Sequence, residues 1–151
     1  MPAAYPRDIE ANGPGAIIQA VSERNVQIVR GALDAVDRSD WDALLTMATP
    51  EFEIDLSRAV GPIHGIYGVD RIRELLGSFA ASWESLRFEP EEVIDAGEDV
   101  VVPWTLHARG RDGIEVVSRV TWVWTVREAR VTRAVMYQER SDALAAVGLS
   151  S

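Results

Sequence analysis

Two side chains in this sequence combine proton-transfer chemistry with a setting that could use it. Asp55 lies in the run Glu51 to Ser57, where Phe52, Ile54 and Leu56 alternate with Glu53, Asp55 and Ser57; His107 lies in the run Val100 to Arg109. A carboxylate at the wall of an apolar pocket is raised in pKa by desolvation, toward the range where it exchanges protons near neutrality. An imidazole titrates in that range by nature. Asp55 is therefore the candidate general base and His107 its acid/base partner. The same alternation equally fits the wet face of a strand, and a histidine beside the turn Arg109-Gly110-Arg111 equally fits the surface.

Around these two, aromatic residues offer binding surface. Trp122 and Tyr137 each carry an apolar body and one polar handle, and Val120 faces Tyr137 in the expected strand pairing. Phe79 and Trp83 lie on one side of an expected helix, and His64 and Tyr67 sit in the glycine-rich stretch RAVGPIHGIYG. These seven residues are the candidate ligand contacts.

What is missing narrows the chemistry further. All 15 basic residues are arginine, cysteine is absent, and His64 and His107 are the only histidines. Without lysine there is no Schiff base or phosphate-loop lysine, and without cysteine no thiolate, disulfide or cysteine-ligated metal. Two distant histidines support a metal site only weakly, so neither metal nor cofactor is expected. The net charge of −9 argues against nucleic acid and anionic membranes. No run approaches 18 apolar residues, and the N-terminus lacks the basic-then-apolar order of a signal peptide, so the expected location is cytoplasmic.

The elements that must position these groups follow from periodicity. A chain of 151 residues fits one domain able to bury a real core. Residues 1–15, rich in proline and glycine, read as a flexible arm, and 16–149 as a single domain. Val26, Val29, Leu33 and Val36 mark an amphipathic helix with Ser22 as a plausible N-cap. Ser39 or Asp40 caps a short second helix that Pro50 prevents from continuing. The strand Glu51 to Ser57 follows, then a third helix carrying Ile72, Leu75, Leu76, Phe79 and Trp83 on one side. Leu86–Ile94, Val100–Arg109, Ile114–Arg127 and Val131–Arg140 read as strands, with turns at Asp95–Glu98, Asp112-Gly113 and Glu128-Ala129. A short helix, ended by Gly148, closes the chain. Helices followed by a meander imply an α+β fold with the helices on one face of the sheet.

Hairpin length sets which side chains share a face. With Asp112-Gly113 as a two-residue turn, His107 faces Ser118 and Thr105 faces Val120. With Glu128-Ala129 as the next, Val120 faces Tyr137 and Trp122 faces Val135. One face then gathers His107, Ser118, Val120, Trp122, Trp124, Tyr137 and Glu139, and suits a ligand pocket. The other gathers Val102, Trp104, Leu106, Arg119, Ala134, Met136 and Gln138, and suits packing or a subunit contact.

The order of elements, carried by SDWDALLTMATPEFEID, HGIYGVDRIRELL, EEVIDAGEDVVV and VWTVREARVTRAVMYQERSDALAAVGL, resembles the nuclear transport factor 2-like superfamily. That group includes ketosteroid isomerases and SnoaL-like polyketide cyclases, and the likeness runs from roughly Ser22 to Leu149. It implies a cone-shaped fold in which N-terminal helices pack against a strongly bent, mostly antiparallel sheet that encloses a small hydrophobic ligand. It also implies a homodimer. Ketosteroid isomerase uses an aspartate base with a tyrosine and a protonated aspartate as oxyanion donors. Asp55 aligns with the base, but Ala32 and Trp122 stand at the donor positions, so that oxyanion hole is missing. The expectation is a cofactor-independent isomerase, cyclase, dehydratase or hydrolase, with Asp55 abstracting a proton and His107 or Tyr137 donating one. The alternatives are a non-catalytic ligand-binding protein or a structural dimer module of the same fold.

Overall fold

The computed structural model describes residues 14–60 and 63–149. The expected N-terminal arm falls outside these, apart from Pro14 and Gly15, which open the first helix. Helix α1 (Pro14–Asp37) starts eight positions before the expected cap at Ser22. Proline suits a first helical turn, where its missing N–H is not needed. Val29, Ala32, Leu33 and Val36 form the buried stripe, and Arg30 and Asp34 face water. Asp40 caps α2 (Trp41–Thr46), its Oδ1 accepting from the Ala43 amide at 3.1 Å.

Strand β1 (Ala48–Asp55) begins before Glu51 and runs through Pro50. Its register with β7 shifts between Ala48 and Glu53, so the proline sits where a ladder hydrogen bond is already broken. The expected loop contributes a short β2 (Ile66–Gly68), followed by α3 (Val69–Ala81). The single strand expected over Leu86–Ile94 is two: β3 (Ser85–Pro90) and β4 (Ile94–Ala96), both paired with β5 (Asp99–Arg109). Strands β6 (Glu115–Arg127) and β7 (Arg130–Tyr137) complete the sheet, and α4 (Arg140–Ala146) follows.

The order across the sheet is β2-β1-β7-β6-β5-β3; β1 joins β7 in parallel and the other pairs are antiparallel. The sheet is strongly curved and unclosed. Helices α1 to α3 pack on its concave side, where Phe52, Ile54, Val102 and Trp124 join Val29 and Ile72 in the main core. Helix α4 corrects the expectation of helices on one face only. It turns back onto the convex side, where Ala143 and Leu144 pack on Val101 and Val123. No described helix is long and apolar enough to cross a membrane.

Both hairpins alter the expected face assignment. Arg109 pairs with Glu115, so the β5–β6 loop is the five residues 110–114 and not the pair Asp112-Gly113. Asp112 Oδ1 accepts from the Ile114 amide at 3.1 Å, and Gly113 takes a φ of +87° that favours glycine. An odd loop inverts parity, and His107 lies opposite Val117. The Glu128-Ala129 turn has two residues, as expected, but the β6–β7 register shifts between Thr125 and Val126. Thr132 is left over as a bulge, and Trp122 therefore pairs with Met136, not Val135.

Candidate functional site

The corrected register brings three tryptophans together on the concave face. That face holds Val100, Val102, Trp104, Leu106 and Ala108 of β5, and Val116, Ser118, Val120, Trp122 and Trp124 of β6. Phe52 and Ile54 of β1 and Ala134 and Met136 of β7 continue it. None of these side chains is ionisable. Phe88, Trp104, Trp122, Trp124 and Phe52 stand in a row, with successive ring centroids 4.8, 5.4, 6.4 and 6.3 Å apart. Such rows arise because same-face neighbours on adjacent strands approach within aromatic reach.

Exposure rises along β6 from one end of this face to the other. Val126 and Trp124 are 1% and 2% exposed, Trp122, Val120 and Ser118 are half-buried, and Val116 is 39% exposed. The face is thus closed near the β6–β7 turn and open near the β5–β6 loop. At the open end lies a cleft of about 490 Å³ lined by Ser82, Trp83, Gly110, Arg111, Asp112, Ile114 and Val116.

The indole Nε1 atoms of Trp122 and Trp124 are both buried and have no hydrogen-bond partner among the described residues. Each such donor costs roughly 1–3 kcal/mol. Two of them, two residues apart on one strand face, offer hydrogen bonds to an acceptor lying against that face.

The expected acid/base pair does not form. Asp55 is buried, 4% exposed, but on the convex side with Glu53 and Arg133. Its Oδ1 accepts from the Ser57 amide at 2.9 Å and its Oδ2 from Arg133 Nη2 at 3.2 Å, and Arg58 Nη1 lies 3.9 Å away. Burial pushes the Asp55 carboxyl up, but the hydrogen bonds from Ser57 and the guanidiniums of Arg133 and Arg58 outweigh it. The net pKa is below the ordinary aspartate value, opposite to the shift a general base needs. His107 is also convex, half exposed, with Nε2 3.0 Å from Glu89 Oε1. Asp55 aligns through Val135 and Val123 with Val101, three strands across and six residues along from His107. At sheet spacings this is about 14 Å by 20 Å.

The other candidates divide between the two faces. Val120 and Trp122 lie on the concave face, and Tyr67 joins them because it pairs with Ile54. Phe79 and Trp83 meet edge to face, centroids 6.4 Å apart, at the end of α3 beside the cleft. Tyr137 is convex, under the Arg58 guanidinium at 4.6 Å. His64 is exposed, and its carbonyl accepts from the Tyr67 hydroxyl at 2.9 Å. The aliphatic face expected to serve packing or subunit contact is, in its β5 and β7 positions, the concave face itself. Among the described residues, no three histidine, aspartate or glutamate side chains are placed to share a metal ion.

A family model for the SnoaL-like domain matches residues 29–134. The chain belongs to this SnoaL-like family. No curated protein matches it. Among solved structures, an NTF2-like protein from Burkholderia thailandensis E264 is 25% identical, with 77% of this chain and 91% of that one covered and a TM-score of 0.68. TerC, co-crystallised with polyporic acid, is 20% identical over 82% of this chain and 98% of its own, with a TM-score of 0.67. A putative SnoaL-like polyketide cyclase from Shewanella denitrificans OS-217 is 17% identical over 76% and 90%, at 0.66. At the lower two identities the likeness is one of fold.

In this SnoaL-like chain, Trp104, Trp124, Phe52, Phe88 and Arg111 join the site without having been among the candidates. The loop Gly110-Arg111-Asp112-Gly113-Ile114 held the signal for Trp104. Reading it as five residues places Trp104 with Trp122 and Trp124.

Proposed function

We propose that this SnoaL-like chain binds a flat, largely apolar small molecule carrying a hydrogen-bond acceptor, such as a carbonyl-bearing polycycle, against the concave face. The observation that carries this reading is the buried, unpartnered indole N–H of Trp122, in the half-buried part of the face, with that of Trp124 behind it, on a face whose β1, β5, β6 and β7 side chains are not ionisable. Apolar walls supply affinity, and a few convergent donors supply orientation. TerC, of the same fold, was co-crystallised with polyporic acid, which is in keeping with a small-molecule role.

Fluorene and 9-fluorenone share a shape and differ by one carbonyl. Fluorenone is expected to bind roughly 3- to 10-fold more tightly, the contribution of one neutral hydrogen bond. The doubly substituted Trp122→Phe, Trp124→Phe chain is expected to lose that preference while still binding fluorene. Equal binding of the two by the unaltered chain, or an undiminished preference in the variant, would overturn the reading.

Membership of a family whose fold neighbours include a putative polyketide cyclase favours a second reading, an isomerase or cyclase. There the indole donors would stabilise a developing oxyanion. Conversion of the bound carbonyl compound on prolonged incubation would replace simple binding by this catalytic reading. The homodimer implied by the superfamily resemblance is likewise a proposal, which sedimentation showing a monomer at micromolar concentration would remove.

A further inference from the structure

The open end of the concave face carries a charge that hydrogen bonding to the tryptophans does not use. We infer that the ligand is an elongated aromatic carboxylate whose acid group is held by Arg111 at the mouth; this rests on the reading of the concave face as a binding site.

Arg111 is held in place by its loop. Gly110 donates to the Ile114 carbonyl at 2.8 Å, Gly113 donates to the Gly110 carbonyl at 2.9 Å, and Arg111 Nη1 donates to the Ala81 carbonyl at the end of α3 at 2.9 Å. The side chain thus reaches across the cleft with one donor engaged, and the rest of its planar fork suits a carboxylate. Among the described residues no carboxylate lies within 4.0 Å of it, whereas the neighbouring Arg109 is paired with Glu115. Asp112, the acid in the same cleft, turns Oδ1 back to the Ile114 amide.

The walls beside this guanidinium are apolar: Trp83, Ile114 and Val116. Val116 also begins the concave row that continues through Ser118 and Val120 to Trp122. Trp122 lies six residue steps along β6 from Val116, about 20 Å. A molecule in contact with both ends is therefore long, apolar over most of its length, and anionic at the end nearest solvent.

1-Pyrenebutyrate and 1-pyrenebutanol are apolar over most of their length and differ in charge at one end, and their binding is followed by quenching of tryptophan emission. The unaltered chain is expected to bind the acid at least tenfold more tightly than the alcohol, as a charge-assisted bond implies. Arg111→Gln, which removes the charge and keeps a polar side chain, is expected to bring the acid to the alcohol's affinity and leave the alcohol unchanged. Arg109→Gln is expected to change neither. Equal affinities in the unaltered chain, a preference that survives Arg111→Gln, or a parallel loss of both ligands would overturn the inference. Binding of the alcohol without any preference for the acid leaves the concave-face reading standing; failure of both probes removes the two together.

Discussion

At Asp55 the Ser57 amide and two guanidiniums hold the carboxylate on the convex side, away from the tryptophan row. These contacts tie β1 to β7 and to the segment after β1. Their pH dependence follows from the direction of the shift. The carboxyl is depressed in the folded chain, so its contribution is full above the unfolded value of about 3.9 and is lost as pH falls through the lower folded value. Asp55→Asn is therefore expected to cost about 1–2 kcal/mol at pH 7, a modest figure because both arginines are half in solvent. Urea unfolding of both proteins at pH 7 and near pH 2 checks this, with the difference shrinking at the lower pH. Fluorenone affinity is expected to be unchanged by the substitution, and a large loss would return Asp55 to the ligand site. The sequence showed the carboxylate and its strand but not Arg133, a partner 78 residues away that only the parallel β1–β7 pairing supplies.

Element types were legible where periodicity or punctuation was strong. The buried stripe of α1, the Asp40 cap, the β5, β6 and β7 strands and the ending at Gly148 all follow from local pattern. Register was not legible, because it turns on single residues. One more residue than an even loop in Gly110–Ile114, and one bulge at Thr132, moved His107 and Tyr137 to the side opposite Trp122. The bulge follows a turn whose residues both have left-handed backbone, Glu128 at φ 50° and Ala129 at φ 66°. Such a two-residue hairpin turn favours Asn-Gly, and a residue with a Cβ there costs about 1–2 kcal/mol. Ala129→Gly is accordingly expected to stabilise the chain by roughly 0.5–1 kcal/mol after the added freedom of the unfolded chain is subtracted. Thermal unfolding checks it; a lower melting temperature would mean that the turn relaxes without strain.

Across the whole molecule, one end of the curved sheet is sealed and the other is not. Val100, Val102, Trp124 and Val126 are almost inaccessible, while Ile114, Val116 and Val117 at the β5–β6 loop are exposed. Local opening free energies follow such differences in packing, so amide exchange is expected to be slowest around Val100–Val102 and Trp124–Val126 and fastest around the 110–117 loop. A ligand held between the mouth and the tryptophan row should slow exchange mainly where the face is half-buried, at Leu106, Ser118, Val120 and the last turn of α3. The sealed end opens only with the whole chain and gains only the global increment. That increment is about 2.7 kcal/mol at a ligand concentration 100 times its Kd, a rise in Tm of roughly 5–10 °C for a domain of this size. Exchange measured with and without fluorenone or pyrenebutyrate distinguishes this from surface association. Protection confined to β1, β7 and α4 would place the ligand on the convex side, on the face of Asp55 and His107.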